Sequence, residues 1–168
     1  MFFLRNRQWR EVRNKLSPVL TSGKLKQAYG LMQEVSFNLE EHLKSKQPAS
    51  GNSFVCDIKD LIALFTTDLI ATHAFGVQAN SLENPNGDFR RNGRKMFEFD
   101  LIRFINFFVI FFMPNLSSLL RVRLFSDESS KFVRDTVNYV MKERKQSGAI
   151  RNDLIDTLLA LQEEAKAE

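Results

Sequence analysis

Apolar residues recur every three or four positions along most of this chain, and strictly alternating apolar and polar runs do not occur. This spacing matches an α-helix, which turns once in roughly 3.6 residues, whereas alternation would predict β-strands. The pattern is clear from Leu25 to Leu39, where Ala28, Met32 and Val35 complete one apolar stripe. The spacing therefore predicts an all-α chain, and a length of 168 residues predicts about one domain.

Proline, glycine and capping residues divide this pattern into segments, because they end or begin helices. The positive side chains of Lys142, Arg144 and Lys145 suit the negative C-terminal end of the helix that ends at Gly148. The predicted helices run from about Trp9 to Leu16 before Pro18, from Leu25 to about Lys46, from Asp57 or Cys56 to Phe75, from Arg90 to about Phe104 and on into the phenylalanine cluster up to Pro114, from Ser126 to Gly148, and onward from a cap at Asn152.

The composition indicates an ordinary folded protein, with 43% hydrophobic residues, 26% charged residues and a net charge of +4. The single cysteine, Cys56, excludes a disulfide framework within the chain. His42 and His73 are too far apart to form a metal-ligand pattern, so we predict no metal site made by side chains. We expect Cys56 to be a partly buried structural thiol.

Basic residues are concentrated at the start of the chain. Residues 1–26 contain seven basic side chains against one acid, Glu11, which gives this stretch a net charge of +6. A single basic stretch with one tryptophan and no recognisable binding motif predicts no interaction with nucleic acid. A solvated basic face that meets an acidic protein is the alternative that we retain.

Trp9 and Arg13 are four residues apart, so a helix places their side chains on one face, one turn from each other. The indole and the guanidinium are hydrogen-bond donors only, which suits an anion held against an apolar wall. The other interpretation is a core tryptophan beside a solvent-facing arginine, and the spacing alone does not decide between the two.

An apolar run spans Phe104 to Met113, with Asn106 as its one polar residue. It is too short to cross a bilayer and too apolar for an uncovered surface loop. Either it packs inside the domain or it contacts a membrane surface, where each inserted phenylalanine contributes roughly 1.5–3 kcal/mol.

Four segments in order resemble the microsomal cytochrome P450 monooxygenases, especially the insect branch that metabolises xenobiotics. They are WREVRNKLSP (9–18) with TSGKL (21–25), FTTD (65–68) with HAFG (73–76), FRRNGRKMF (89–97), and RNDL (151–154). The resemblance implies that residues 1–168 are a single partial domain, roughly the third to the eighth lettered helix of that fold, with 104–114 as an apolar inter-helix segment.

The resemblance also implies a cofactor and partners. Trp9 and Arg13 would bind a propionate of haem, and a small apolar substrate would meet a pocket formed in part by Phe2, Phe104, Phe107 and Phe108. Electrons would come from NADPH through a reductase, at the cytosolic face of the endoplasmic reticulum membrane.

Several family motifs are missing from the chain. We find no cysteine segment of the form Phe-x-x-Gly-x-Arg-x-Cys-x-Gly, no Ala-Gly-x-x-Thr helix and no Glu-x-x-Arg pair. We therefore expect an internal fragment that contains no catalytic residue, with the axial cysteine of the haem elsewhere. The alternative function is a non-catalytic helical module that binds a membrane surface or another protein.

Overall fold

The computed structural model describes residues 4, 6–17, 21–49, 51, 53–98, 100–113, 116 and 122–167. Within these residues the chain forms eight α-helices and no strand, so the predicted all-α class is confirmed. The helices are α1 (Asn6–Leu16), α2 (Ser22–Gln27), α3 (Tyr29–Lys46), α4 (Ile58–Phe75), α5 (Asp88–Phe97), α6 (Leu101–Phe112), α7 (Asp127–Ser147) and α8 (Leu154–Ala167).

Helix α4 is the centre of the bundle and packs against α3, α5, α7 and α8. Its Leu61 and Leu64 form the main core with Leu82, and Leu39 and Leu43 of α3 cover this cluster. A fully buried leucine contributes about 1.5–3 kcal/mol, so a few such side chains are enough to hold α3 against α4.

Three of the predicted helix ends are confirmed by their caps. The Asp57 carboxylate accepts hydrogen bonds from the backbone N–H groups of Lys59 and Asp60 and begins α4. Gly76 ends α4 in the left-handed conformation, with φ of 63°. The Ser126 hydroxyl accepts the N–H of Ser129 and begins α7.

The single helix predicted from Arg90 to about Phe104 is wrong, because the structure has two helices that separate after Phe97. Glu98 has an extended backbone, with φ of −66° and ψ of 121°. The Asp100 carboxylate then accepts the backbone N–H of Arg103 at 2.7 Å and caps α6. No proline or glycine marks this break. The aspartate cap alone is sufficient to start a new helix.

Two other boundaries also differ from the prediction. The helix predicted from Leu25 to Lys46 is divided into α2 and α3 at Ala28, a fully buried residue. At the start of α8 the cap is Asp153 and not Asn152, because Asp153 Oδ1 accepts the N–H of Asp156 at 3.1 Å. Asn152 instead takes up a left-handed conformation, with φ of 59°.

Helices α1 and α6 stand apart from this bundle. Neither packs extensively against another helix of the described chain. No helix among the described residues is both long enough and apolar enough to cross a bilayer. The two segments for which the sequence predicts ligand contacts are therefore the two that the bundle covers least.

Candidate functional site

Helix α1 brings Trp9 and Arg13 together as the spacing predicts. The guanidinium carbon of Arg13 lies 4.9 Å from the centroid of the Trp9 ring, a cation–π distance. Trp9 is half-buried and Arg13 is exposed. Val12 and Leu16, both half-buried, lie on the same side of the helix, so the two donors sit beside apolar side chains.

The charges on α1 are separated between its two faces. Glu11 is the helix's one acid, and its Oε1 accepts from Arg7 Nε at 2.8 Å. At about 100° per residue, this pair lies about 160–200° around the helix from Trp9. The face of Trp9 and Arg13 therefore has two donor groups and no carboxylate of its own helix, which suits an anion such as a carboxylate.

Helix α6 is fixed to the rest of the chain through two polar side chains. The Arg103 guanidinium donates to the carbonyl oxygens of Lys95 and Glu98, the latter at 2.7 Å. The Asn106 side-chain amide donates to the carbonyl of Arg123 at 3.2 Å. Both side chains are half-buried, and they define the inner face of α6.

The predicted pocket residues on α6 fall on different faces. Phe108 lies opposite the inner face and stacks on Phe112, with 4.6 Å between ring centroids. Phe107 contacts Phe111 at 4.4 Å on one flank. By helical geometry Phe104 lies between this flank and the outer face, about 60° around the helix from Phe107 and about 40° from Phe108. All five rings are exposed, from 37% at Phe107 to 69% at Phe112.

The structure therefore separates Phe107 from Phe108 by about 100° around α6 and places Phe104 between them. Phe2, the remaining residue predicted for the substrate pocket, lies outside the described residues.

The sequence analysis missed an apolar groove of about 530 Å³ between α4, α5 and α7. Phe89 joins its walls through edge-to-face contacts with Phe75 at 5.2 Å and with Phe132 at 6.0 Å. Phe104, Phe107 and Phe108 do not line this groove. Its walls come from three helices, so no local pattern in the sequence could have revealed it.

A buried ion pair where α7 meets α8 was also not predicted from the sequence. The Arg144 guanidinium donates to both carboxylate oxygens of Asp153, at 2.8 and 3.3 Å, and to Asp156. The side chains of Arg144 and Asp153 are 7% and 0% exposed. Hydrogen bonding to Asp153 raises the pKa of Arg144 above its ordinary value, although burial alone would lower it.

Gly76 belongs to the same junction. A Cβ at this position would lie 2.8 Å from both Arg144 Nη2 and Asp153 Oδ2. The Gly76 carbonyl also accepts a hydrogen bond from the Arg151 side chain at 3.3 Å. The glycine thus brings the end of α4 against the Arg144–Asp153 pair, and the whole junction is structural.

Asp68 and Cys56 differ in how far the bundle covers them. Asp68, which is buried, accepts the backbone N–H groups of Ser81 and Leu82 at 2.6 and 3.2 Å, so its role in the FTTD segment is to hold the turn after α4. Cys56 is exposed, so the prediction of a partly buried thiol is wrong. It lies in the loop before α4.

The helical bundle and the donor face of α1 define the class of protein. It is an all-α protein whose first helix presents two hydrogen-bond donors suited to an anionic group. The sequence profile of cytochrome P450 matches residues 1–168, and the chain belongs to this family.

Curated relatives agree with this assignment. The chain is 51% identical to "Probable cytochrome P450 6w1" of Drosophila melanogaster over 99% of its length, and 48% identical to "Probable cytochrome P450 6g2" of the same species over 95%. It is 36% identical to "Cytochrome P450 6k1" of Blattella germanica over 96%. The chain spans about a third of these relatives, namely 32%, 31% and 30% of their lengths.

Proposed function

We propose that residues 1–168 are the central helical part of a haem-thiolate monooxygenase, a single partial domain of a longer protein. The enzyme would insert one oxygen atom from O₂ into a small apolar substrate, a xenobiotic or an endogenous lipophile, with electrons derived from NADPH. Family membership supports this proposal, as does the length of the relatives. The alternative of a non-catalytic helical module finds no support among those relatives.

The observation that carries the proposal is the donor face of α1. Trp9 and Arg13 offer an indole N–H and a guanidinium beside half-buried Val12 and Leu16. Arg13 forms no ion pair with a carboxylate of the described residues, so its charge remains available. A haem propionate matches this face in charge, and the apolar side chains match the porphyrin edge.

In the enzyme these residues bind and orient the cofactor and take no part in bond making. When bound, haem would supply the reductive activation of O₂, together with a cysteine thiolate of the protein. We place that cysteine outside these 168 residues, because exposed Cys56 lies in a loop without the glycine and arginine of the family's cysteine segment.

Helix α6 supplies two apolar faces to the proposed enzyme. We assign the flank of Phe107 and Phe111, with Phe104 at its edge, to the substrate and the outer face of Phe108 and Phe112 to the membrane surface. Phe108 was predicted for the pocket, but its contact with Phe112 opposite the anchored face favours lipid. The location would be the cytosolic side of the endoplasmic reticulum.

The reductase partner is assigned to the other face of α1. Arg7 has a side chain that is 92% exposed, and Arg10 and Lys15 are also exposed. At about 100° per residue, Arg7 and Lys15 lie about 160° and 120° around the helix from Trp9, and Arg10 lies on the flank between the two faces. One helix can therefore bind the cofactor and an acidic partner simultaneously.

The test of the proposed function is haem retention by the full-length protein. A charge-assisted hydrogen bond shielded from water contributes about 1.5–3 kcal/mol, so Arg13→Ala should weaken haem binding by about 10-fold to 150-fold. The double variant with Trp9→Ala should be purified with clearly less haem, measured by absorbance.

Arg7→Ala is the matched control, since it removes an arginine from the opposite face of α1, and it should retain haem fully. Equal haem content in the double variant and the parent would disprove the assignment.

A further inference from the structure

The contact between Trp9 and Arg13 forms within one helix turn. The Arg13 guanidinium carbon is 4.9 Å from the centre of the indole ring. The face of an aromatic ring attracts a cation because its quadrupole is negative there, and tryptophan is the most effective side chain in this respect. Residues at this spacing meet on the helix surface without help from any other part of the protein.

The cation–π contact need not compete with anion binding. The five N–H donors of a guanidinium lie in its plane and point outward from its edge. A contact made over a ring therefore leaves donors at the edge free to form a fork with a carboxylate. An arginine side chain that is already held loses less rotamer freedom when the anion arrives.

We propose that Trp9 is a positioning residue, whose ring holds the Arg13 guanidinium ready on the apolar face of α1 before the anion binds. The inference rests on the proposed function, because the anion is the haem propionate. It gives Trp9 a role that its N–H donor alone does not supply: the ring acts through Arg13.

The experiment separates the ring from the N–H group. Trp9→Phe keeps an aromatic face and loses the donor, whereas Trp9→Leu keeps apolar bulk and loses both. Each change is made in the haem-loaded full-length protein, with Arg13 intact and with Arg13→Ala. The readout is the rate of haem release to a scavenging protein, followed by absorbance, which does not depend on catalytic activity.

With Arg13 intact, Trp9→Leu should release haem about 2-fold to 30-fold faster than Trp9→Phe, the range expected for loss of a cation–π contact. In the Arg13→Ala background the two variants should release haem at the same rate, since the ring no longer has a guanidinium to hold. Arg13→Lys should behave more like Arg13→Ala than like the parent, because an ammonium lacks the planar fork.

Three results would overturn the inference, and they have different meanings. Equal release by Trp9→Phe and Trp9→Leu with Arg13 intact would leave Trp9 as a donor only. If Trp9→Leu still releases haem faster than Trp9→Phe in the Arg13→Ala background, the ring packs independently of Arg13. A general loss of folding in Trp9→Leu would give this same result. If Arg13→Ala itself leaves haem release unchanged, the propionate contact of the proposed function fails, and this inference fails with it.

Discussion

Arg13 and Arg144 are both helix arginines of this chain, yet their surroundings are opposite. Arg144 is 7% exposed and is neutralised by Asp153 and Asp156, residues that the same chain provides. Arg13 is exposed and meets an aromatic ring, with no carboxylate of the described residues paired to it. A charge that is satisfied internally stabilises the fold, whereas a charge left on an apolar face is available for a ligand.

The segments that resemble the family divide in the same way. Asp68 holds a turn, Gly76 admits an ion pair and Asp153 forms that pair, so the second and fourth of the four segments serve the fold. The first segment, with Trp9 and Arg13, leaves its donors unused by the fold. Resemblance identifies the family, but only the contacts distinguish structural residues from ligand-binding residues.

The largest effect on the structural side is expected from Gly76→Ala in the full-length protein. The new Cβ would stand 2.8 Å from both members of the buried pair, at a φ of 63°. The left-handed conformation costs an alanine roughly 1–2 kcal/mol, and displacing a buried ion pair costs about 3–5 kcal/mol more. Chemical denaturation should show a loss of several kcal/mol in the free energy of unfolding.

Gly148→Ala is the matched control for this change. Gly148 has nearly the same φ, 65°, but a Cβ there would meet nothing within 4 Å. It should therefore cost only the conformational part, about 1–2 kcal/mol. Equal losses for the two glycines would show that the Arg144–Asp153 junction does not constrain the end of α4.

The next effect tests the buried pair directly through Arg144→Met. The variant leaves Asp153 buried without its cation, and such a change costs about 3–5 kcal/mol. The neighbouring pair of Lys145 and Glu163 is largely exposed, so Lys145→Met should cost at most about 1 kcal/mol. A similar midpoint of denaturation for both variants would contradict the assignment of Arg144 as the structural arginine.

The sequence predicts one side of this comparison much better than the other. The stacking of Trp9 and Arg13 follows from a spacing of four within a single helix, and so do the caps at Asp57 and Ser126. Arg144 was assigned only to the end of its helix, because its partners come from α8 and from a turn whose direction no local pattern encodes. The separation of α5 from α6 was missed for a related reason: an aspartate with no proline or glycine beside it can also occur in a helix interior, so Asp100 was not recognised as a cap.

Helix α6 resembles α1 in this respect, because its outer face presents the exposed apolar side chains of Phe108 and Phe112. Phe108→Asp with Phe112→Asp should abolish the protection that vesicles give to the amides of 101–112, measured by hydrogen exchange with phosphatidylcholine vesicles. Two half-inserted phenylalanines contribute roughly 1.5–3 kcal/mol together, which corresponds to at least about tenfold in protection.

The paired change Phe107→Asp with Phe111→Asp is the control, because it adds the same charge to the neighbouring flank, where these two rings contact each other. It should leave vesicle protection largely intact. If both pairs abolish protection equally, the anchors at Arg103 and Asn106 do not orient α6 on the membrane. If neither does, α6 does not contact lipid, and its outer face must be covered by protein.

The smallest effect is expected on the basic face of α1, where the charges are exposed and screened by salt. Arg7→Glu with Lys15→Glu should raise the apparent KM for the reductase a few-fold at low ionic strength, and the difference should shrink at high salt. Lys142→Glu, an exposed residue of α7, is the control for a general change of net charge. Haem retention should not change in any of these variants, because the altered charges do not lie on the face of Trp9 and Arg13. A loss of haem in Arg7→Glu with Lys15→Glu would mean that α1 does not keep its two faces separate, and that the contrast between Arg13 and its exposed neighbours is one of degree.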